Sequence, residues 1–258
     1  EYMSNGQGYY RNFPENIQIV MTGGRVWGEV TNDFTTTFTN NVGRGPYMWI
    51  NWPCTDNSKK HLIMGGYTTF LHPGVDPNKI QGIVLNPMQQ SEPSKVAIFG
   101  NACYSWNIWQ SEEEAQRCWN ASFKYVDHNS ALETKASAAL RELSKHMINQ
   151  NMDGRVTALQ ESVDLKDRLA SFKEAISNGT TISDEQFEDL LNEFTILKNA
   201  SATYRAQAGD TRVKDQIVYW LNCWDDTTDA AINYIKAIKA AQDGDANDKI
   251  WDLYAAGQ

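Results

Sequence analysis

Three short β-runs, each stopped by glycine or proline, limit what the first part of this chain can fold into. They are Ile17–Met21, ended by Thr22-Gly23-Gly24, then Pro46–Asn51, ended at Trp52-Pro53, then Gly82–Leu85, ended by Asn86-Pro87. Proline cannot donate to a sheet ladder, so the second run must stop at or before Pro53. Two adjacent glycines after the first run allow a tight turn or a close backbone approach to a ligand. Between the runs, Phe34, Phe38 and Val42 recur at helical spacing, which predicts a short helix over 31–42 despite its threonines. Lys59–Met64 reads as a further brief helix, and 65–79 as a Gly- and Pro-containing loop. Ser91–Trp106 reads as a helix with Pro93 in its first turn. Strand, helix, strand, helix, strand, helix is the pattern of a parallel sheet covered by helices.

Past about residue 110 the pattern changes, and long helical periods replace strands. Ser183 with Gln186 three positions on matches a capping box. Phe187, Leu190, Leu191, Phe194 and Leu197 then mark one apolar face. Val213, Ile217, Trp220, Leu221 and Trp224 mark another. Asn178-Gly179 and Ala208-Gly209 punctuate the helices. The domain reading is therefore an α/β part over 1–110 and an all-α antiparallel bundle over 111–258.

Charge and cysteine usage exclude several functions. The net charge of −9 leaves no electrostatic footprint for nucleic acid. No apolar run approaches the length of a membrane span. Cys54, Cys103, Cys118 and Cys223 form no C-x-x-C pair, and His61, His72, His128 and His146 are scattered. Neither set has metal-ligand spacing, so no metal site is expected. No Walker loop, dinucleotide fingerprint or G-x-S-x-G is present, so no nucleotide cofactor or covalent serine chemistry is expected. Nine tryptophans gather mainly between Trp27 and Trp119, and they suit either a core or aromatic platforms for sugar.

Polar groups stand at the strand ends. Asn51 and Asn86 close two successive runs, and Asp56 follows the first. Ligands of parallel α/β sheets sit at the C-terminal ends of strands. Amides and carboxylates match sugar hydroxyls, which both donate and accept. The same residues also cap helices and shape turns, so each taken singly has a structural reading too. The adjacent pair Asp225-Asp226 resembles an acid–base pair in composition only. The two positions are rotated by roughly 100° and 200° from Trp224, toward the solvent side of their helix. Glu112-Glu113-Glu114 reads as a solvated helix start favoured by the macrodipole.

Four strings in order carry a resemblance: Val20-Met21-Thr22-Gly23-Gly24-Arg25-Val26, Trp49-Ile50-Asn51-Trp52-Pro53-Cys54-Thr55-Asp56, Leu85-Asn86-Pro87-Met88 and Ser94-Lys95-Val96-Ala97-Ile98-Phe99. Over residues 1–110 they resemble the last strands of glycoside hydrolase family 84, the O-GlcNAcases and hyaluronidase-like bacterial hexosaminidases. The resemblance implies the last strands of a (β/α)8 TIM barrel followed by a helical bundle. It implies retaining hydrolysis of terminal β-linked N-acetylglucosamine through an oxazoline, with the substrate's acetamido oxygen as nucleophile. By the same resemblance Asp56 binds the outer hydroxyls, Asn51 and Asn86 complete that set, Trp49 walls the acetamido pocket, and Tyr2 contacts the reacting end.

Departures accompany it. Met21 and Ile50 stand where the family usually has tryptophan. The family's Asp-Asp pair lies upstream of anything in this chain, so no catalytic residue is expected here. A (β/α)8 barrel takes about 250 residues, so the missing N-terminal barrel part would come from a longer polypeptide or a second chain. The implied ligand is a GlcNAc-containing glycan or glycoprotein, with no cofactor. Glu1 begins the chain without a signal peptide, as in a processed or truncated protein, and a bacterial source would make it secreted or cell-surface. Two other readings stand beside the enzyme fragment. One is a half-site that binds N-acetylglucosamine without cutting it; the other is an interaction protein acting through its bundle.

Overall fold

The computed structural model describes residues 10–56, 58–147 and 162–258. These divide into two units. One comprises the described residues up to Val126 together with Met147; the other comprises Asp127–His146 and Ser162–Gln258.

The first unit is built on a three-stranded parallel sheet in the order β1-β2-β3, with β1 Val20–Met21, β2 Tyr47–Pro53 and β3 Gly82–Asn86. Helix α1, Asn32–Val42, connects β1 to β2, and α2, Lys95–Trp106, follows β3. Helix α3, Glu112–His128, comes next. Strand β2 is central. Its residues alternate in environment. Met48, Ile50 and Trp52 are buried, while Trp49 is 44% exposed. Val84, the partner of Trp49 on β3, and Val20 of β1 are exposed on that same face. Adjacent parallel strands share side-chain orientation in register, so the sheet has one buried face and one bare apolar face.

The core behind the buried face holds three of the nine tryptophans, Trp52, Trp109 and Trp119. Trp52 stacks on Phe70 at 5.5 Å and meets Tyr67 edge-on at 6.0 Å. Tyr67 in turn stacks on Trp109, which meets Tyr104. The Tyr67 hydroxyl donates to the Val96 carbonyl at 2.6 Å. Its ring lies directly on α2, because a Cβ at Gly100 would stand 2.5 Å from it. The Trp119 indole donates to the Met64 carbonyl at 2.9 Å.

Local reading and structure agree at α1. Thr31 caps it by accepting from Phe34 N, and Phe38 and Val42 are buried. Three expectations are corrected. Lys59–Met64 forms no helix: Leu62, Ile63 and Met64 are all buried, and Met64 N donates to the distant Met147 carbonyl. Three consecutive buried residues suit an extended run, not one helical face. The first strand shrinks to two residues, although the Ile19 carbonyl still accepts from Tyr47 N. Pro93 lies in a turn ahead of α2 and not in its first helical turn.

The second unit is helical. Among the described residues it contains α4 Lys135–Ser144, α5 Val163–Asn178, α6 Asp184–Gln207, α7 Thr211–Gln216, α8 Val218–Gln242 and α9 Asn247–Ala256. Helix α6 packs against α4 and α8, and α8 against α9. The Ser183–Gln186 capping box forms, and Phe187, Leu190, Phe194 and Leu197 are buried as their spacing predicts. Gly179 ends α5 at φ +65°, a conformation glycine adopts without a Cβ penalty. Between α6 and α7 the Gly209 amide donates to both Asp127 carboxylate oxygens at 3.2 Å. None of the described helices is long and apolar enough to cross a membrane.

His146 gives this unit a pH dependence. Its side chain is fully buried, with Nδ1 3.1 Å from Ser162 Oγ and Nε2 3.7 Å from Glu193, too far for a hydrogen bond. Burial holds its pKa below the usual 6.5; the carboxylates of Glu193, Asp164 and Glu142 oppose that shift, and Lys145 adds to it. A histidine depressed in the native state contributes stability that is complete above the unfolded pKa. That contribution is lost as pH falls through the native value. The urea midpoint of this unit is therefore expected to fall between pH 7 and pH 5, and His146→Gln should flatten that fall. An identical pH profile in the variant would remove His146 as its source.

Candidate functional site

The exposed face carries its polar groups at the C-terminal end of the sheet. Strand β2 pairs with β3 in simple register from Tyr47↔Gly82 to Ile50↔Leu85; an irregularity then brings Pro53 opposite Asn86. Unbroken register would put Asn51 directly opposite Asn86; the irregularity offsets the two backbones, yet their side chains still meet. Asn51 Oδ1 accepts from the Trp49 indole nitrogen at 2.9 Å and from Asn86 Nδ2 at 3.2 Å. Asn51 Nδ2 donates to the Val26 carbonyl at 2.6 Å.

Val26 reaches that position through the loop that follows β1. Gly23 and Gly24 both have positive φ. Gly28 folds back so closely that a Cβ there would stand 1.9 Å from the Thr22 carbonyl oxygen. Of the two sequence readings of Gly23-Gly24, the tight turn describes them. The carbonyl of Val26 and the demand on Gly28 were not anticipated. A third glycine four residues past Gly24 was the available signal.

Both Oδ1 lone pairs and one N–H of Asn51 are engaged. One N–H of Asn51, one N–H of Asn86 and the Asn86 carbonyl remain for a ligand among the described residues. Asp56 lies exposed in the turn beyond β2. The Cys54 thiol is buried against the Asp56 amide and carboxylate; burial, the larger effect, pushes its pKa up. Cys54 is thus a poor nucleophile at neutral pH. The structure brings Trp49, Asn51 and Asn86 together and sets Asp56 at the adjoining strand exit. Tyr2 lies outside the described residues.

Behind this rim, Glu29 links Arg25 and His72. Its carboxylate is 2.8 Å from His72 Nε2, and that hydrogen bond is the chief cause of its lowered pKa. This pair ties the loop after β1 to the segment that parallel bridge Val30↔Leu71 holds alongside it. Among the described residues no cluster of three His, Cys, Asp or Glu could hold a metal.

Asp225 has a structural partner within the helical unit. It lies on α8, where Arg205 Nη2 pairs with it at 2.8 Å, and Asp226 is exposed. Asp225→Asn in an active enzyme is expected to leave kcat/KM within about twofold, since an exposed ion pair contributes only ~0–1 kcal/mol to stability. A collapse of turnover would reverse the assignment of this helix as structural.

Comparison with known proteins bears on this geometry. A family model described as beta-N-acetylglucosaminidase matches residues 1–145. The structure of CpGH84D aligns with a TM-score of 0.84 and 28% identity, over 100% of this chain and 41% of that one. CpGH84B aligns at 0.80 with 18% identity, over 98% and 42%. A mutant O-GlcNAc hydrolase of Thermobaculum terrenum aligns at 0.74 with 19% identity, over 100% and 50%. The last two identities speak for the fold alone. The chain spans half or less of the length of each. With the family match covering more than half of the 258 residues, the chain belongs to the β-N-acetylglucosaminidase family, glycoside hydrolase family 84.

Proposed function

We propose that these residues form the last three strands of a (β/α)8 barrel, and the helices after it, in a retaining β-N-acetylglucosaminidase of the O-GlcNAcase kind. The supporting observation is the Asn51 amide, bonded at once to Trp49 and Asn86 on the bare side of a parallel sheet. A bare apolar face with open strand edges is a poor surface to leave in water. Five further strands would turn that face into a barrel interior, with the two asparagines at its ligand-binding rim. Family membership and the 41–50% coverage of the aligned structures support the same reading.

In this reading the N-acetylglucosamine ring enters at the strand ends. Its outer hydroxyls meet the Asp56 carboxylate and the free Asn86 groups, and its acetamide lies against Trp49. The acetamido oxygen attacks the anomeric carbon, forming an oxazoline as the aglycone leaves with a proton from a general acid. Water then opens the oxazoline with retention. The acid and the group that orients the acetamide come from an Asp-Asp pair outside this chain. Residues here bind and orient; they transfer no proton.

Hydrolysis of an aryl β-N-acetylglucosaminide tests the proposal. The 258 residues alone should give no turnover, and addition of the preceding barrel segment should restore it. Turnover by this chain alone would contradict the external acid–base pair. Sugar binding without turnover in the full-length protein would favour a binding module instead.

A further inference from the structure

A second feature of the sheet lies at its opposite end. A cleft of about 240 Å³ opens where β3 begins, between Gln81–Ile83 and the exit of α2 at Ser105–Asn107, with Gln110 at its edge. Gly82 and Asn86 are four residues apart, so roughly 13 Å of strand separates this cleft from the asparagine rim. Trp106 stands in it 92% exposed, the most exposed large apolar side chain of those described. Tryptophan is on average a highly buried residue.

The other groups of the cleft define what could cover that indole. Gln81, Ser105, Asn107 and Gln110 supply amides and a hydroxyl, and all are exposed. Among the described residues no Asp, Glu, Lys, Arg or His lines the cleft. The Tyr104 hydroxyl at its base is already spent on the His72 carbonyl at 2.6 Å. Such a lining offers nothing to pair with a phosphate, a carboxylate or an ammonium group. A flat apolar face bordered by groups that both donate and accept matches a pyranose ring, with C–H on one face and hydroxyls around its edge. The volume is below the about 300–1,000 Å³ of drug-sized sites, so it suits one ring at a time.

We propose that this cleft is a second, non-catalytic binding site for a neutral saccharide unit, with Trp106 as its platform. It would hold glycan at the rim opposite the strand-end amides, raising the local concentration of chains that carry the substrate. The inference rests on the groups of the cleft itself and stands apart from the strand-end reading.

The test uses the full-length protein labelled with 5-fluorotryptophan, the Trp106 resonance being assigned from Trp106→Phe. N,N′-diacetylchitobiose and lactose are titrated separately. The Trp106 resonance should shift saturably with a Kd of about 1–20 mM. The shift should persist in Asp56→Ala, which addresses the other site. Asn107→Ala should weaken it about threefold or more, the loss of one neutral hydrogen bond. No shift with either sugar would overturn the proposal, as would a shift that vanishes in Asp56→Ala. A Trp106 resonance shielded from a soluble paramagnetic quencher would also overturn it, since polypeptide would then cover the cleft.

Discussion

Trp52→Ala is expected to destabilise the first unit by about 3–5 kcal/mol, the range for removing a buried aromatic side chain. Trp52 is 2% exposed and lies between the Phe70 face and the Tyr67 edge. Its removal would leave a cavity walled by rings. Those rings are themselves held: Tyr67 is pinned by its bond to Val96 and by contact with Gly100. A site that cannot collapse loses packing as well as transfer energy. Trp49→Ala, three positions earlier, is the control. In the 258-residue chain Trp49 is on the bare face, so its removal there should cost within about 1 kcal/mol. Urea unfolding of both variants gives the comparison. Equal midpoints for the two would contradict the assignment of buried and open faces to β2.

Asp56→Ala is expected to lower kcat/KM for an aryl β-N-acetylglucosaminide by about 10-fold or more in the full-length enzyme. A hydrogen bond to a charged group contributes roughly 1.5–3 kcal/mol, and each ~1.4 kcal/mol is tenfold in rate. Because the carboxylate is exposed beyond β2, the melting temperature should hardly move. That separates a lost ligand contact from a lost fold. Asn51→Ala should differ in kind. It removes the acceptor shared by Trp49 and Asn86 and frees the Val26 carbonyl, so binding and loop order should weaken together. Unchanged kinetics in Asp56→Ala would remove that residue from the site.

Much of this fold was legible because it depends on local chemistry. Phe34, Phe38 and Val42 at helical spacing marked α1, and Thr31 caps it. Ser183 and Gln186 announced α6 and meet as a capping box. Pro53 marked where β2 had to stop, and it is the last residue of that strand. Each of these follows from torsional preference, a missing N–H or a one-turn hydrogen bond. The Lys59–Met64 expectation went astray for the opposite reason. The amides of its buried end bond far away in sequence, Ile63 to the Met88 sulfur and Met64 to the Met147 carbonyl, and no local period encodes them.

Residue order alone puts an indole, two amides and a carboxylate at the strand ends, in a family's order. Tertiary structure alone decided that Asn51 and Asn86, 35 positions apart, share a hydrogen bond, and that Trp52 faces rings while Trp49 faces open space. A strand's alternation puts successive side chains on opposite faces without naming the buried one. That choice comes from what packs above and below. The meeting of the two amides comes from strand register, which the parallel ladder sets across distant segments.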